Sequence, residues 1–194
     1  DPNFGMIYNN MGLLLFKVKT PTNVKKAENF YKKAISLDKN IPEPHNNLGT
    51  LYNHLNKVEE AINCYKKALD VNPKFSYAHH NIGTAYISIG KIEQAKFHFK
   101  ESIKLNPNFP DTHRSLSRVI KYTEKEKHFE QLKSIYKDIK SNELVKKIEI
   151  GFALGKAYED IGNFDKSFFH YNEGNETCRK KINFSINDEK IKFE

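Results

Sequence analysis

The sequence predicts an all-α fold built from repeated pairs of short antiparallel helices. Three observations lead to this prediction: an internal 34-residue period, small and aromatic residues that recur within it, and turn residues between the expected helices. Hydrophobic residues make up 38% of the 194 residues, which is enough for a packed core. Charged residues make up 29% and interrupt each apolar run before the roughly 18 residues that a membrane span requires. We therefore expect a helical solenoid that does not enter a membrane.

The period appears when the sequence is compared with itself after a shift of 34 positions. The matched pairs are Gly49 with Gly83, Tyr52 with Tyr86, Ala61 with Ala95, Tyr65 with Phe99, and Pro73 with Pro107. An earlier copy precedes them, because Tyr31 lies 34 positions before Tyr65. Gly12 precedes Gly49 by 37 positions, so a three-residue insertion is predicted near residues 19–22.

The recurring residue types are those that closely packed helix pairs need. A small residue such as Gly49 or Ala61 lets two helices approach, and a ring such as that of Tyr65 fills the remaining space. Asn56 and Gly90 are expected in the turns between helices, where a left-handed backbone is tolerated. These residues and spacings resemble the tetratricopeptide repeat (TPR) family, whose pattern reads Leu-Gly-x2-Tyr, then Ala-x3-Phe, then Pro. The resemblance implies a right-handed TPR superhelix, an α-solenoid of helix-turn-helix repeats.

The pattern divides the chain into four regions. Residues 1–109 are predicted to form three TPR repeats, of which the first contains the insertion. Residues 110–141 are a divergent repeat, and helical spacing of its apolar residues predicts a long variant helix over 121–141. Residues 142–181 are predicted to form a further TPR-like repeat, and 182–194 a C-terminal tail or linker.

An asparagine occupies the same position of three successive first helices, at Asn10, Asn47 and Asn81. This row resembles the asparagine ladder of the TPR region of O-GlcNAc transferase, in which the amides bond the backbone of an extended peptide. An amide both donates and accepts hydrogen bonds, so it can bind a backbone without reading its side chains. The predicted concave groove also contains Asn46, Thr50 and Thr84. The alternative, asparagines that only satisfy local hydrogen bonds, remains open.

Two arginines follow on the next first helix. Arg114 and Arg118 lie one helical turn apart, so both are expected to line the groove and to bind a carboxylate, a sulfate or an acidic side chain. Exposed or salt-bridged arginines are the alternative. The Lys and Asn of the carboxylate clamp that other TPR domains use are not matched, because Asn46 and Thr50 stand in those places.

No residue pattern indicates catalysis or a metal. His45, His79 and His113 recur because the repeat recurs, and they are predicted to pack between helices, since successive equivalents lie about 10 Å apart and metal bonds are near 2.0 Å. Cys64 and Cys178 are far apart and belong to no Cys/His cluster, which favours a reducing, cytoplasmic setting. We therefore predict no enzyme activity, no cofactor and no small-molecule substrate within this chain.

A second resemblance covers roughly the second half of the chain. The segments 111–123, 152–162 and 171–175 look like the region of bacterial proteins in which TPR repeats precede a sulfotransferase domain. The family's strand-loop-helix for its sulfonate donor, PAPS, has no counterpart in these residues. The resemblance implies that the chain is a non-catalytic, substrate-docking region of a sulfotransferase-type enzyme whose catalytic domain and PAPS site lie beyond residue 194.

The net charge of +8 comes almost entirely from lysines, and most of these alternate with apolar helix positions as solvated faces do. We therefore do not expect a nucleic-acid partner, although a polyanion ligand remains a weaker third reading. The leading prediction is a scaffold that binds a protein or an extended peptide in the groove formed by the first helix of each repeat.

Overall fold

The computed structural model describes the backbone of residues 2–191 and the side chains of residues 4–182. This part of the chain is all-α, as predicted, and contains no strand. It divides into two compact units, an N-terminal unit that ends at Pro107 and a C-terminal unit that begins at Asn108. No helix among the described residues is both long enough and apolar enough to cross a bilayer.

The N-terminal unit consists of three helical hairpins. Its helices are α1 (Pro2–Val18), α2 (Pro21–Leu37), α3 (Pro42–His54), α4 (Val58–Val71), α5 (Ser76–Ser88) and α6 (Ile92–Leu105). Each odd-numbered helix packs on the even-numbered helix that follows it, and α2 and α4 also pack on the first helix of the next hairpin. Apolar residues of neighbouring hairpins thereby form continuous core clusters, as a solenoid requires.

Each hairpin is closed by the contact of one glycine with one aromatic ring. A Cβ atom added to Gly49 would lie 2.6 Å from Cε1 of Tyr65, and one added to Gly83 would lie 2.6 Å from Cε1 of Phe99. Gly12 meets Tyr31 in the same way, although three more residues separate that pair. The glycines are therefore required by close helix approach, which confirms the register predicted from the 34-residue period.

The turns also follow the prediction. Asn56 has a φ of 58° and Gly90 a φ of 73°, so both take the left-handed conformation that ends a helix. The insertion in the first repeat lies between α1 and α2, where Lys19 has a φ of 53° and Thr20 caps α2 by accepting a hydrogen bond from the Asn23 amide.

The C-terminal unit is less regular. Its helices are α7 (Pro110–Ser117), α8 (Lys127–Lys137), α9 (Leu144–Asp160) and α10 (Phe164–Ile191). The pair α9–α10 keeps the repeat contact, because a Cβ on Gly155 would lie 2.8 Å from the Tyr171 ring. Helices α7 and α8 both pack on α9.

The prediction of a long variant helix over 121–141 is wrong. The helix covers only Lys127–Lys137, and residues 118–126 are irregular. Tyr122 explains the irregular stretch, because its buried ring occupies the core while its backbone N–H donates to the Asp160 carboxylate at 2.9 Å. A side-chain bond thus replaces the helical hydrogen bond of the Tyr122 amide. The expected tail over 182–194 also differs, since the α10 backbone continues to Ile191.

Candidate peptide-binding face

The three predicted ladder asparagines lie on α1, α3 and α5, which are neighbours within the N-terminal unit. Asn10 is exposed, whereas Asn47 and Asn81 are half-buried. The structure therefore brings together on one side of this unit residues that are 34 to 37 positions apart in the sequence.

A repeated hydrogen bond joins successive first helices. Nδ2 of Asn47 donates to Oδ1 of Asn9 at 2.8 Å, and Nδ2 of Asn81 donates to Oδ1 of Asn46 at 2.8 Å. We call this arrangement the asparagine clasp. Asn9 and Asn46 are buried acceptors at equivalent positions, so the same clasp forms at two successive repeat junctions.

The clasp fixes the orientation of the amides that project from the helices. It uses one N–H of Asn47 and one of Asn81, and no other bond to these two amides occurs among the described side chains. Each amide therefore keeps its carbonyl oxygen and its second N–H for a ligand. Asn9 was absent from the predicted site, although the doubled Asn9-Asn10 and Asn46-Asn47 pairs were a sequence signal for it.

The two threonines of the predicted site are exposed and bonded within their own helices. The Thr50 hydroxyl donates to the Asn46 carbonyl at 3.1 Å, and the Thr84 hydroxyl donates to the His80 carbonyl at 3.2 Å. Their oxygens can still accept a hydrogen bond, so they offer acceptors one turn beyond the asparagines.

Arg114 and Arg118 belong to the C-terminal unit and differ in environment. Nη1 of Arg114 lies 2.9 Å and 3.1 Å from the two carboxylate oxygens of Glu149, and its guanidinium stacks 4.5 Å from the centre of the Phe152 ring. Arg118 caps the end of α7 and is exposed. The Arg114 charge is therefore balanced within the protein, an arrangement that the sequence did not signal because Glu149 is 35 residues away.

The recurring histidines are packed within the hairpins. The Nδ1 atoms of His79 and His98 lie 3.1 Å apart, and burial lowers the pKa of His98 to about 4, with His79 adding to the effect. Burial also lowers the pKa of His45.

A second histidine pair is fully buried in the C-terminal unit. Nδ1 of His113 lies 2.9 Å from Nε2 of His128, whose Nδ1 lies 2.7 Å from the Tyr122 hydroxyl. Burial raises the pKa of Tyr122, so the phenol stays protonated and can donate. Among the described residues, no three His, Cys, Asp or Glu side chains are grouped as metal ligands.

Comparison with known proteins identifies the repeats. A family model described as Tetratricopeptide repeat matches residues 42–75 and 76–109. These two segments span α3–α4 and α5–α6, the hairpins that carry the donor asparagine of each clasp. No protein with a curated description matches the chain significantly.

Several solved structures share the fold. The thermophilic TPR protein TTC0263 of Thermus thermophilus is 20% identical, with a TM-score of 0.63 over 94% of this chain and 96% of that one. MamA is 23% identical, with a TM-score of 0.61 over 93% of this chain and 95% of that one. The second TPR domain of human RPAP3, solved with the HSP70 peptide SGPTIEEVD, is 25% identical, with a TM-score of 0.55 over 61% and 98%. Residues 42–109 of this chain are therefore two consecutive tetratricopeptide repeats, and the chain has the fold of TPR proteins.

Proposed function

We propose that the chain is a protein-binding scaffold whose N-terminal unit holds an extended peptide along the asparagine row. The single observation that carries this proposal is the repeated clasp. At two successive junctions a 2.8 Å bond holds a ladder amide in one orientation and leaves part of it unbonded. A preorganised row of amides binds a backbone at a lower entropic cost than mobile side chains would.

The spacing of the row defines the ligand. Neighbouring packed helices lie about 8–10 Å apart, and an extended chain advances about 3.3 Å per residue. Asn10, Asn47 and Asn81 would then contact every third residue of the peptide, so a segment of about seven residues is needed to reach all three. Because amides bond to the backbone, the ligand class is an extended peptide with few side-chain requirements.

Solved structures that share this fold contain bound peptides, and the sequences of those peptides help to define the ligand that we expect for the N-terminal unit. RPAP3 TPR domains were solved with the HSP90 peptide SRMEEVD and the HSP70 peptide SGPTIEEVD. A carboxylate clamp requires a Lys and an Asn at two positions that are occupied here by Asn46 and Thr50. Asn46 is in addition buried in the clasp. We therefore propose internal peptide segments, rather than terminal carboxylates, as the ligands of the N-terminal unit.

The test is selection of peptides from a random dodecamer library displayed on phage, followed by affinity measurement with the synthetic dodecamers. The double variant Asn47→Ala plus Asn81→Ala should weaken binding by about tenfold or more, because two hydrogen bonds of about 1 kcal/mol each are lost. Hexamers cut from the same sequences should bind more weakly than the dodecamers. Asn63→Ala, an exposed asparagine on α4, is the matched control and should bind as the parent does.

Two results would oppose the proposal: unchanged affinity in the double variant, or an equal loss of affinity in Asn63→Ala.

The dependence of the binding affinity on salt concentration distinguishes a peptide ligand from a polyanion ligand. Binding that falls steeply between about 50 and 200 mM salt would indicate a ligand held by the +8 net charge, whereas amide contacts depend far less on salt.

The setting that we propose is cytoplasmic. Cys64 and Cys178 are both free thiols, and Cys64 is buried, which fits a reducing compartment.

The substrate-docking arm of a bacterial sulfotransferase-type enzyme is the second candidate. It rests on the sequence resemblance of residues 111–123, 152–162 and 171–175, and the first two of these segments are packed together. Arg114 stacks on Phe152, and the Tyr122 amide bonds to Asp160. Sequencing the encoding gene past Glu194 tests this candidate. A strand, a phosphate-binding loop and a helix should follow within a few dozen codons, and a stop codon or further 34-residue repeats would remove it.

A further inference from the structure

The first helices of the N-terminal unit carry very little charge. Of all the Asp, Glu, Lys and Arg residues of the chain, only Lys17 and Glu43 lie on α1, α3 or α5, although these residue types make up 29% of the sequence. Lys17 is exposed in the last turn of α1, whereas Glu43 is half-buried in the first turn of α3. Glu43 is therefore the one carboxylate on the three helices that carry the asparagine row.

Glu43 lies beside the middle amide of that row. It precedes Asn47 by four residues of the same helix, so the two side chains share a face and their Cβ atoms lie about 5–6 Å apart. The equivalent residues of α1 and α5 are Met6 and Tyr77, which are uncharged. Among the side chains that the structure describes, none forms an ion pair with Glu43. A carboxylate thus borders the proposed peptide site without a basic partner in this part of the chain.

The C-terminal unit shows what a glutamate at this position of the repeat can bind. Glu149 corresponds to Glu43, because Gly155 aligns with Gly49 after a shift of 106 positions. Nη1 of Arg114 donates to both carboxylate oxygens of Glu149, at 2.9 Å and 3.1 Å. The Glu149 side chain is only 17% exposed, so water screens this contact less than it screens a surface ion pair.

The arginine of this pair has no counterpart in the N-terminal unit. Arg114 lies on the preceding first helix, three residues before the glycine position of its repeat, which is occupied by Ser117. On α1 the residue three positions before Gly12 is Asn9, which is uncharged and accepts the clasp bond from Asn47. The glutamate position is therefore paired within the C-terminal unit, and in the N-terminal unit it is left for a ligand.

We propose that Glu43 binds the guanidinium group of an arginine in the extended peptide, as Glu149 binds Arg114. This inference rests on the proposed function, because it needs a peptide along the asparagine row. Since Glu43 adjoins the middle amide of three, the arginine lies near the centre of the bound segment. No other carboxylate lies on these helices, so a basic residue at either end of the row gains no comparable contact. The ligand class is an extended peptide with one central arginine.

The experiment selects the random dodecamer library in parallel on the parent chain, on Glu43→Gln and on Glu59→Gln, at about 0.15 M salt so that distant charges are screened. Glu59→Gln is the matched control, because Glu59 is the second residue of α4, as Glu43 is of α3, and is exposed on a different helix. Arginine should be enriched near the middle of the dodecamers selected by the parent and by Glu59→Gln. It should not be enriched in those selected by Glu43→Gln.

Affinity measurements with one selected dodecamer make the test quantitative. Replacing its central arginine by glutamine should weaken binding to the parent about five- to tenfold, and it should leave binding to Glu43→Gln unchanged. The charge reversal Glu43→Arg should instead favour the dodecamer in which glutamate replaces the arginine. Circular dichroism should show the same helix content in all variants, because the substituted side chains are not fully buried.

Three results would overturn this inference and leave the peptide proposal standing, provided that Asn47→Ala plus Asn81→Ala still weakens binding. The first is equal enrichment of arginine, or none, in the parent and Glu43→Gln selections. The second is an equal loss of affinity in both chains when the peptide arginine is replaced. The third is loss of the arginine preference in Glu59→Gln, which would assign that preference to net charge. A parent chain that selects no dodecamer would overturn both proposals.

Discussion

The two units build helix pairs from the same repeat by different means. In the N-terminal unit every hairpin is closed by a glycine against a ring, as Gly83 is against Phe99. In the first half of the C-terminal unit the positions equivalent to Gly83 and Ala95 are Ser117 and Phe129. Both replacements are larger, so α7 and α8 do not meet in the standard way, and both also pack on α9.

Polar contacts replace the close packing of α7 on α8 that the larger side chains prevent. Tyr122 bonds to His128 through its hydroxyl and to Asp160 through its backbone, and Arg114 bonds to Glu149. A solenoid can therefore accept a divergent repeat when buried hydrogen bonds hold its irregular backbone. The N-terminal unit should therefore depend most on shape, and the C-terminal unit on its hydrogen-bond network.

The largest expected effect comes from adding one methyl group in each unit. In Gly83→Ala the new Cβ would lie 2.6 Å from the buried Phe99 ring, so the variant should lose about 1–3 kcal/mol of unfolding free energy through overpacking. Gly151→Ala is the matched helical variant of the C-terminal unit, where the nearest atom would be 3.7 Å away. It should gain up to about 1 kcal/mol from helix propensity. Urea unfolding measures both changes in unfolding free energy. Equal changes in the two variants would show that the two units do not differ in how closely their helices pack.

The next effect tests the hydrogen-bond network of the C-terminal unit, and it compares the removal of one tyrosine hydroxyl from each unit. Tyr122→Phe deletes the 2.7 Å contact with His128 in a fully buried site, and it should cost about 1–2 kcal/mol. Tyr65→Phe deletes a 3.5 Å contact with the exposed Thr50, and it should change stability by less than about 0.5 kcal/mol. Urea unfolding again gives both values. A larger loss in Tyr65→Phe would show that polar contacts matter more in the regular unit.

The last effect is the smallest at pH 7, because it develops only on acidification, and it concerns one position shared by both units. This position holds Phe30, Cys64, His98 and His170 in successive regular repeats, and burial lowers the pKa of each of these two histidines to about 4. As pH falls, the unfolded chain takes up a proton near pH 6.5, whereas the folded chain does so only near pH 4. Stability is therefore full above pH 7 and decreases between pH 6.5 and pH 4.

Replacing either histidine by the residue of another repeat should reduce this decrease. His98→Cys tests the N-terminal unit and His170→Phe tests the C-terminal unit, with urea unfolding at pH 7, 6 and 5 as the measurement. Each variant should lose less stability between pH 7 and pH 5 than the parent chain does. Equal losses in the variants and the parent would assign the acid sensitivity to other groups.

The sequence predicted those parts of the molecule that depend on local, recurring signals. The Gly49–Tyr65 contact and the turn at Asn56 were predictable because the residues that form them recur at fixed spacing. The same periodic argument failed over 121–141, since apolar spacing there indicated one long helix. Nothing near Tyr122 signals that its amide bonds to Asp160, which is 38 residues away. The candidate site followed this pattern too, because the row of asparagines was visible and the Arg114–Glu149 pair was not.

The uniform closure of the hairpins has an evolutionary consequence. Since Gly49 with Tyr65 and Gly83 with Phe99 make the same contact, the segments 42–75 and 76–109 are geometrically interchangeable. Unequal recombination within the gene can therefore delete or duplicate one whole repeat and still leave each remaining glycine opposite a ring.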